Sequence, residues 1–134
     1  METKSTESTN QRPEGSRKVD APLVSIDLNL FTEQIKTEEI WKSSDRNAIT
    51  VFKTDTMSIV LIALHKNAEL KKHTAAGLIS VQVLEGQIMF TTDEVAVELN
   101  KGQMITLHEH IPHAVLANEE SIFLLTLASS LAIS

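Results

Sequence analysis

Residues 73–127 read HTAAGLISVQVLEGQIMFTTDEVAVELNKGQMITLHEHIPHAVLANEESIFLLTL, short apolar segments broken by a turn about every ten residues. Ile79, Val81 and Val83 alternate with Ser80, Gln82 and Leu84 and stop at Glu85-Gly86. Val95, Val97 and Leu99 alternate with Ala96 and Glu98 and stop at Lys101-Gly102. Because successive side chains of a strand point to opposite faces, period two means sheet with one face buried. The rhythm therefore predicts an all-β chain, an antiparallel sandwich or barrel, with turns at Glu85-Gly86, Asp93-Glu94, residues 100–102 and Glu119-Glu120.

Upstream of this stretch, residues 57–64 read MSIVLIAL. A run without alternation fits a strand covered on both faces, here by the barrel interior and by either a partner subunit or a helical N-terminal layer. The following HKNAELKK must turn the chain without glycine, and Asn67 is the residue expected in the left-handed region. Phe31, Ile35, Ile40 and Trp41, with Glu33, Glu38 and Glu39 between them, predict a broken amphipathic helix over residues 31–41, capped by Asn29 or Thr32. Val24, Ile26 and Leu28 alternate before it as a candidate edge strand.

The chain has 134 residues, 42% of them hydrophobic, enough for one core and too few for two. Residues 1–20 hold only Met1 and Val19 as aliphatic or methionine side chains, so a disordered polar tail is expected there, followed by one domain over residues 21–134. The absence of cysteine removes disulfides, thiolate ligands and cysteine nucleophiles together. A formal charge of -6 argues against a nucleic-acid partner, because phosphate binding needs a surplus of Lys and Arg. No apolar run reaches the length of a membrane helix and no secretory leader opens the chain, so a cytoplasmic protein without a membrane partner is expected. The apolar MSIVLIAL and ESIFLLTLASSLAIS segments predict a homodimer.

With LEG, NKG and PH in that order, the chain resembles the cupin superfamily, whose small jelly-roll barrels, or double-stranded β-helices, often hold a metal or small ligand at the mouth. The resemblance covers about two thirds of the chain. Anchored on Gly86, the first cupin motif places its glutamate on Ile79, its second histidine on Ala75, its first on His73 and its opening glycine on Asn67. Anchored on Gly102, the second motif places its proline on His108, its next glycine on His110, its histidine on His113 and its asparagine on Ala117. Spacing is kept while identities are partly lost.

Metal-dependent cupins gather three histidines and a glutamate around one ion, and here His73 and His113 alone occupy those slots. Two imidazoles fall short of the donor sets usual for zinc or non-haem iron, so no cofactor is favoured; a divalent metal, if bound, would rest on His73 and His113. His108 and His110 are read as solvated rim residues. Paired carboxylates at Glu38-Glu39, Asp93-Glu94 and Glu119-Glu120 fall in polar turns or helix faces, where solvation is their ordinary role. No phosphate loop, nucleophile elbow or HExxH helix appears.

Two functions follow from this pattern. The first is non-catalytic binding or sensing of a small molecule at an apolar mouth, with His73 and His113 facing each other across it and Ile79, Val81, Val83 and Val115 lining it. The second is a cupin enzyme, either a degenerate metal-dependent oxygenase or a metal-free isomerase with one of these histidines as general base. The resemblance by itself does not choose between them.

Overall fold

The alternating segments become strands, and residues with positive φ carry the chain from one sheet to the other. The structure, a computed structural model, describes residues 4–6 and 17–129. Its elements are β1 (Lys4–Thr6), β2 (Arg17–Asp20), α1 (Leu28–Gln34), α2 (Glu39–Ser43), β3 (Arg46–Lys53), β4 (Met57–Leu64) and β5 (Glu69–His73). The remainder is β6 (Leu78–Glu85), β7 (Gln87–Thr92), β8 (Ala96–Asn100), β9 (Met104–Leu107), β10 (His113–Ala117) and β11 (Ser121–Ala128). A five-stranded sheet of order β3-β4-β11-β6-β9 faces a four-stranded sheet of order β5-β10-β7-β8, with every pairing antiparallel.

All four expected turns are present. Gly86 (φ 83) joins β6 to β7 and Gly102 (φ 87) joins β8 to β9, both in the left-handed region that favours glycine. The two differ in surroundings. A Cβ at Gly86 would collide with the Glu120 carbonyl oxygen and Ser121 Oγ, whereas one at Gly102 would meet nothing within 4 Å. Gly86 is thus also where the β6–β7 turn packs against the β10–β11 turn. Asn67 (φ 74) supplies the left-handed residue before β5, and its amide donates to the Ala117 carbonyl at 2.8 Å.

Two apolar cores result. The barrel interior holds Leu64, Ile79, Val81, Val83 and Phe123 from one sheet against Ile88, Phe90, Leu99, Val115 and Ala117 from the other. On the outer face of the five-stranded sheet, Ile35 and Trp41 of the helical layer cover Ile49, Val51, Leu61, Ala63 and Ile122. MSIVLIAL is β4, lying between β3 and β11. Its Ile62 and Leu64 face the barrel interior, and its Ile59, Leu61 and Ala63 face the helices. Of the two coverings expected for this strand, the chain's own helices supply the second.

Polar bonds fasten that layer. Asn47 Nδ2 donates to the Ile35 carbonyl at 3.0 Å and to Glu38 Oε1 at 2.9 Å, so a buried amide ties both helices to β3. Lys36 Nζ lies 3.3 Å from Glu85 Oε1 and 3.1 Å from Glu120 Oε2. Burial pulls its pKa down, but hydrogen bonds and charge from the two carboxylates outweigh this and hold it above 10.5.

Three details of the N-terminal region differ from expectation. Val24 and Ile26 form no strand; Ile26 packs under the helices and Leu28 opens α1, so burial on the second core outweighs a short alternation. The helix cap is Asp27, which accepts from the Leu30 amide at 3.2 Å, rather than Asn29 or Thr32. The tail expected over residues 1–20 contains β1 and β2, paired antiparallel, with Val19 and Asp20 buried. Backbone pairing supplies what composition does not count. Residues 1–3 and 7–16 of that tail lie outside the described residues, as do residues 130–134 of the apolar terminus. Among the described residues no helix is long and apolar enough to cross a membrane.

Candidate functional site at the barrel mouth

β5 and β10 are neighbours, and their ladder makes His73 the partner of His113. The register shifts between His113 and Val115, whose partner is Leu70. This irregularity lets Leu70 and His73, three positions apart, both face inward, which a regular strand with period two does not allow. The imidazole centroids are 4.4 Å apart with planes inclined by 58°. His113 is buried at 5% exposure, while His73 is exposed at the rim.

The protons of this pair follow from its backbone contacts. His73 Nδ1 lies 2.7 Å from the Lys71 carbonyl oxygen and His113 Nδ1 lies 2.9 Å from that of Ile111. A carbonyl oxygen only accepts, so each Nδ1 carries hydrogen and each neutral ring keeps an Nε2 lone pair. The two acceptor nitrogens belong to rings whose centroids are 4.4 Å apart. Phe90 stacks on His113 at 5.5 Å between centroids, 12° from parallel, and holds that ring in place.

Leu70, His73, Ile79, Val81, Phe90, His113, Val115, Phe123 and Leu125 enclose a space of about 20 Å³. That is room for about one water molecule or one hydroxyl group. Five of the six residues expected in the site line it. Val83 does not: it is fully buried in the same core, away from this space. The histidines also do not face each other across the mouth. They sit side by side in one sheet, and the opposite wall is formed by Ile79 and Val81 of β6 with Phe123 and Leu125 of β11.

No protein-family model matches the chain, and no curated protein matches it. Solved structures do. A cupin-2 domain containing protein from Shewanella frigidimarina superposes with a TM-score of 0.63 over 77% of this chain and 93% of that one, at 15% identity. This is a cupin-type barrel. A conserved protein of unknown function from Streptococcus pyogenes is similar at 28% identity, with a TM-score of 0.62 over 65% of this chain and 76% of that one. A cupin 2 conserved barrel domain protein from Leptotrichia buccalis is similar at 27% identity, with a TM-score of 0.60 over 63% of this chain and 41% of its own.

The cupin metal slots can now be judged from the donors around them. Donation of Nδ1–H to backbone carbonyls is how metal-binding histidines are commonly oriented, and both imidazoles satisfy it. The rest of the set fails. Ile79, in the carboxylate slot, is 5% exposed and projects apolar atoms into the same small space. Among the described residues no group of three His, Asp or Glu side chains comes together. The residues present do not fit a cupin metal centre.

His108 and His110 are exposed, as their rim positions in the sequence imply. A feature with no counterpart in the sequence pattern is a cleft of about 470 Å³ between the β7–β8 hairpin and β9. Phe90 lines both this cleft and the small histidine space. The alternation of Val95, Val97 and Leu99 is visible in sequence, although Val95 is exposed at the tip of the hairpin. The convergence of Val95 and Val97 with Ile105 and Leu107 is not, because it depends on the seam between two edge strands.

Proposed function

We propose that this cupin-type barrel binds or senses a small molecule at its mouth, where His73 and His113 receive a hydrogen-bond donor of the ligand. The carrying observation is the side-by-side imidazole pair whose Nδ1 atoms are both engaged by backbone carbonyls, leaving two Nε2 acceptors. The space behind them admits one small group, so a hydroxyl or a bridging water is the part of the ligand that enters. Apolar walls with a few polar anchors are the usual construction of such sites.

The same lone pairs favour a second reading, proton abstraction by a metal-free enzyme, since an imidazole base near neutral pH needs a free nitrogen. A cytoplasmic setting and a homodimer belong to the proposal. With β4 covered by the helices, the dimer rests instead on Leu78 and Met104, which are 46% and 52% exposed on the outer face near the β9 edge.

The test is nitrogen-detected NMR of the imidazoles during titration of the full chain with a panel of polyols, hydroxy acids and amino alcohols. Binding should shift the Nε2 resonances of both His73 and His113, and His73→Ala should weaken it about tenfold, the loss of one hydrogen bond to a desolvated partner. Binding untouched in both His73→Ala and His113→Ala would refute the anchor. Stoichiometric metal retained after chelation of tag-free protein and lost in His73→Ala would overturn the metal-free reading. Proton exchange from a bound carbon acid, lost in either variant, would favour the enzyme.

A further inference from the structure

We propose that the seam cleft between the β7–β8 hairpin and β9 takes the body of the ligand and selects a compact apolar molecule carrying a cationic amine. The inference rests on the binding reading above and adds the chemical class.

The floor of the cleft is apolar. Phe90, Val97, Ile105 and Leu107 belong to the interior core or pack against it, and here they border open space of about 470 Å³. That volume is in the range of small-molecule sites, roughly 300 to 1,000 Å³, whereas the histidine space beside it is too small for an organic molecule. Phe90 is the shared wall: one face stacks on His113, and the ring also borders the cleft. Phe90 is only 3% exposed, so a ligand body in the cleft would be separated from the imidazole pair by this one ring.

The mouth is built to keep its shape. On the hairpin side, Thr92 Oγ1 accepts from the amides of Glu94 at 3.3 Å and Val95 at 3.1 Å, and the Thr92 amide donates to the Val95 carbonyl at 2.8 Å. On the other side, His110 turns the chain at φ 62, in the left-handed region that histidine enters more readily than most side chains do. Its amide donates to the Ala75 carbonyl at 2.9 Å, joining the β9–β10 loop to the β5–β6 loop.

Charge decides the ligand class. The formally charged residues lining the cleft are Asp93 and Glu94. Lys72 pairs with Asp93, and among the described residues Glu94 has no ion-pair partner. The lip therefore carries a net negative charge above an apolar floor, which attracts a cation and repels a carboxylate.

The experiment titrates isotopically labelled full-length protein with three probes sharing one ring: phenethylamine, 2-phenylethanol and 3-phenylpropionate. The amine should shift the methyl signals of Val97, Ile105 and Leu107 and bind about tenfold tighter than the carboxylate at low salt, a gap that added salt narrows. Val97→Phe, which fills the cleft, should abolish binding, with the methyl signals of Leu61 and Ile122 reporting an intact fold. Glu94→Gln should weaken the amine about threefold without changing the alcohol. Equal or tighter binding of the carboxylate overturns the assigned class. Binding that survives Val97→Phe, or the absence of cleft shifts with all three probes, overturns the site.

The two readings fail separately. Amine binding that ignores His73→Ala and His113→Ala supports the cleft and removes the histidine anchor. Polyol shifts at the histidines without any amine shift in the cleft overturn this inference and keep the anchor.

Discussion

The two cores of the molecule are built differently. Outside the five-stranded sheet, Ile35, Ile49, Leu61, Ala63 and Ile122 are fully buried, and the polar group among them, Asn47, is hydrogen-bonded to both helices. Between the sheets, the barrel core ends at one side in two imidazoles, a water-sized space and an open apolar cleft. Closed packing gains dispersion contacts and the hydrophobic free energy of full burial, whereas an open seam forgoes both. Both cores hold fully buried side chains, and the difference lies at the edge: the helix-covered core is closed all round, while the barrel core opens at the mouth, where the ligand chemistry sits.

The largest effect should come from Ile35→Ala. Removing a fully buried side chain that joins the helical layer to the sheet is expected to cost about 3 kcal/mol, read from the urea midpoint. The imidazole resonances of His73 and His113 should stay where they are. A cost below about 1 kcal/mol, or movement of those resonances, would break the division between the two cores.

Within the mouth, the histidines should separate by burial. His113→Ala loses a buried ring stacked on Phe90 and is expected to destabilise by about 1 to 2 kcal/mol, while His73→Ala at the exposed rim should stay within about 0.5 kcal/mol. Equal costs, measured by the same unfolding curves, would mean that the pair is a structural unit rather than a packed wall with an exposed anchor.

The smallest effect sharpens the other side of the comparison. Lys36, held above 10.5 by Glu85 and Glu120, contributes stability that is present in full below that value and is lost as pH rises through its elevated pKa. Because all three side chains are substantially exposed to water, the contribution should be below about 1 kcal/mol. Unfolding midpoints over roughly pH 9 to 12 should fall more steeply in the native chain than in Lys36→Met. Identical slopes would show that the helical layer is held by its apolar contacts and by Asn47 alone.

Residues 73–127 carry most of the fold in readable form. Period two marks β6 and β8, Gly86 and Gly102 mark two turns, and Asn67 marks the turn that lacks glycine. The candidate site was legible only by resemblance, through the spacing from Gly86 to His73 and from Gly102 to His113. Nothing local indicates that Leu70 and His73 share a face, because the irregularity in the β5–β10 ladder is a property of the pair of strands.

Around Gly86 and Gly102 the amino-acid sequence alone determined which segments are strands, which residues turn them and which of their faces are apolar, because these depend on side-chain alternation and φ preference within a few residues. The tertiary structure decided the rest. It set His73 beside His113 instead of opposite it, gave the outer face of β4 to the chain's own helices, and left the edges of β8 and β9 apart as a cleft. Those outcomes depend on which distant strands pair and in what register, which no stretch of a few residues specifies by itself.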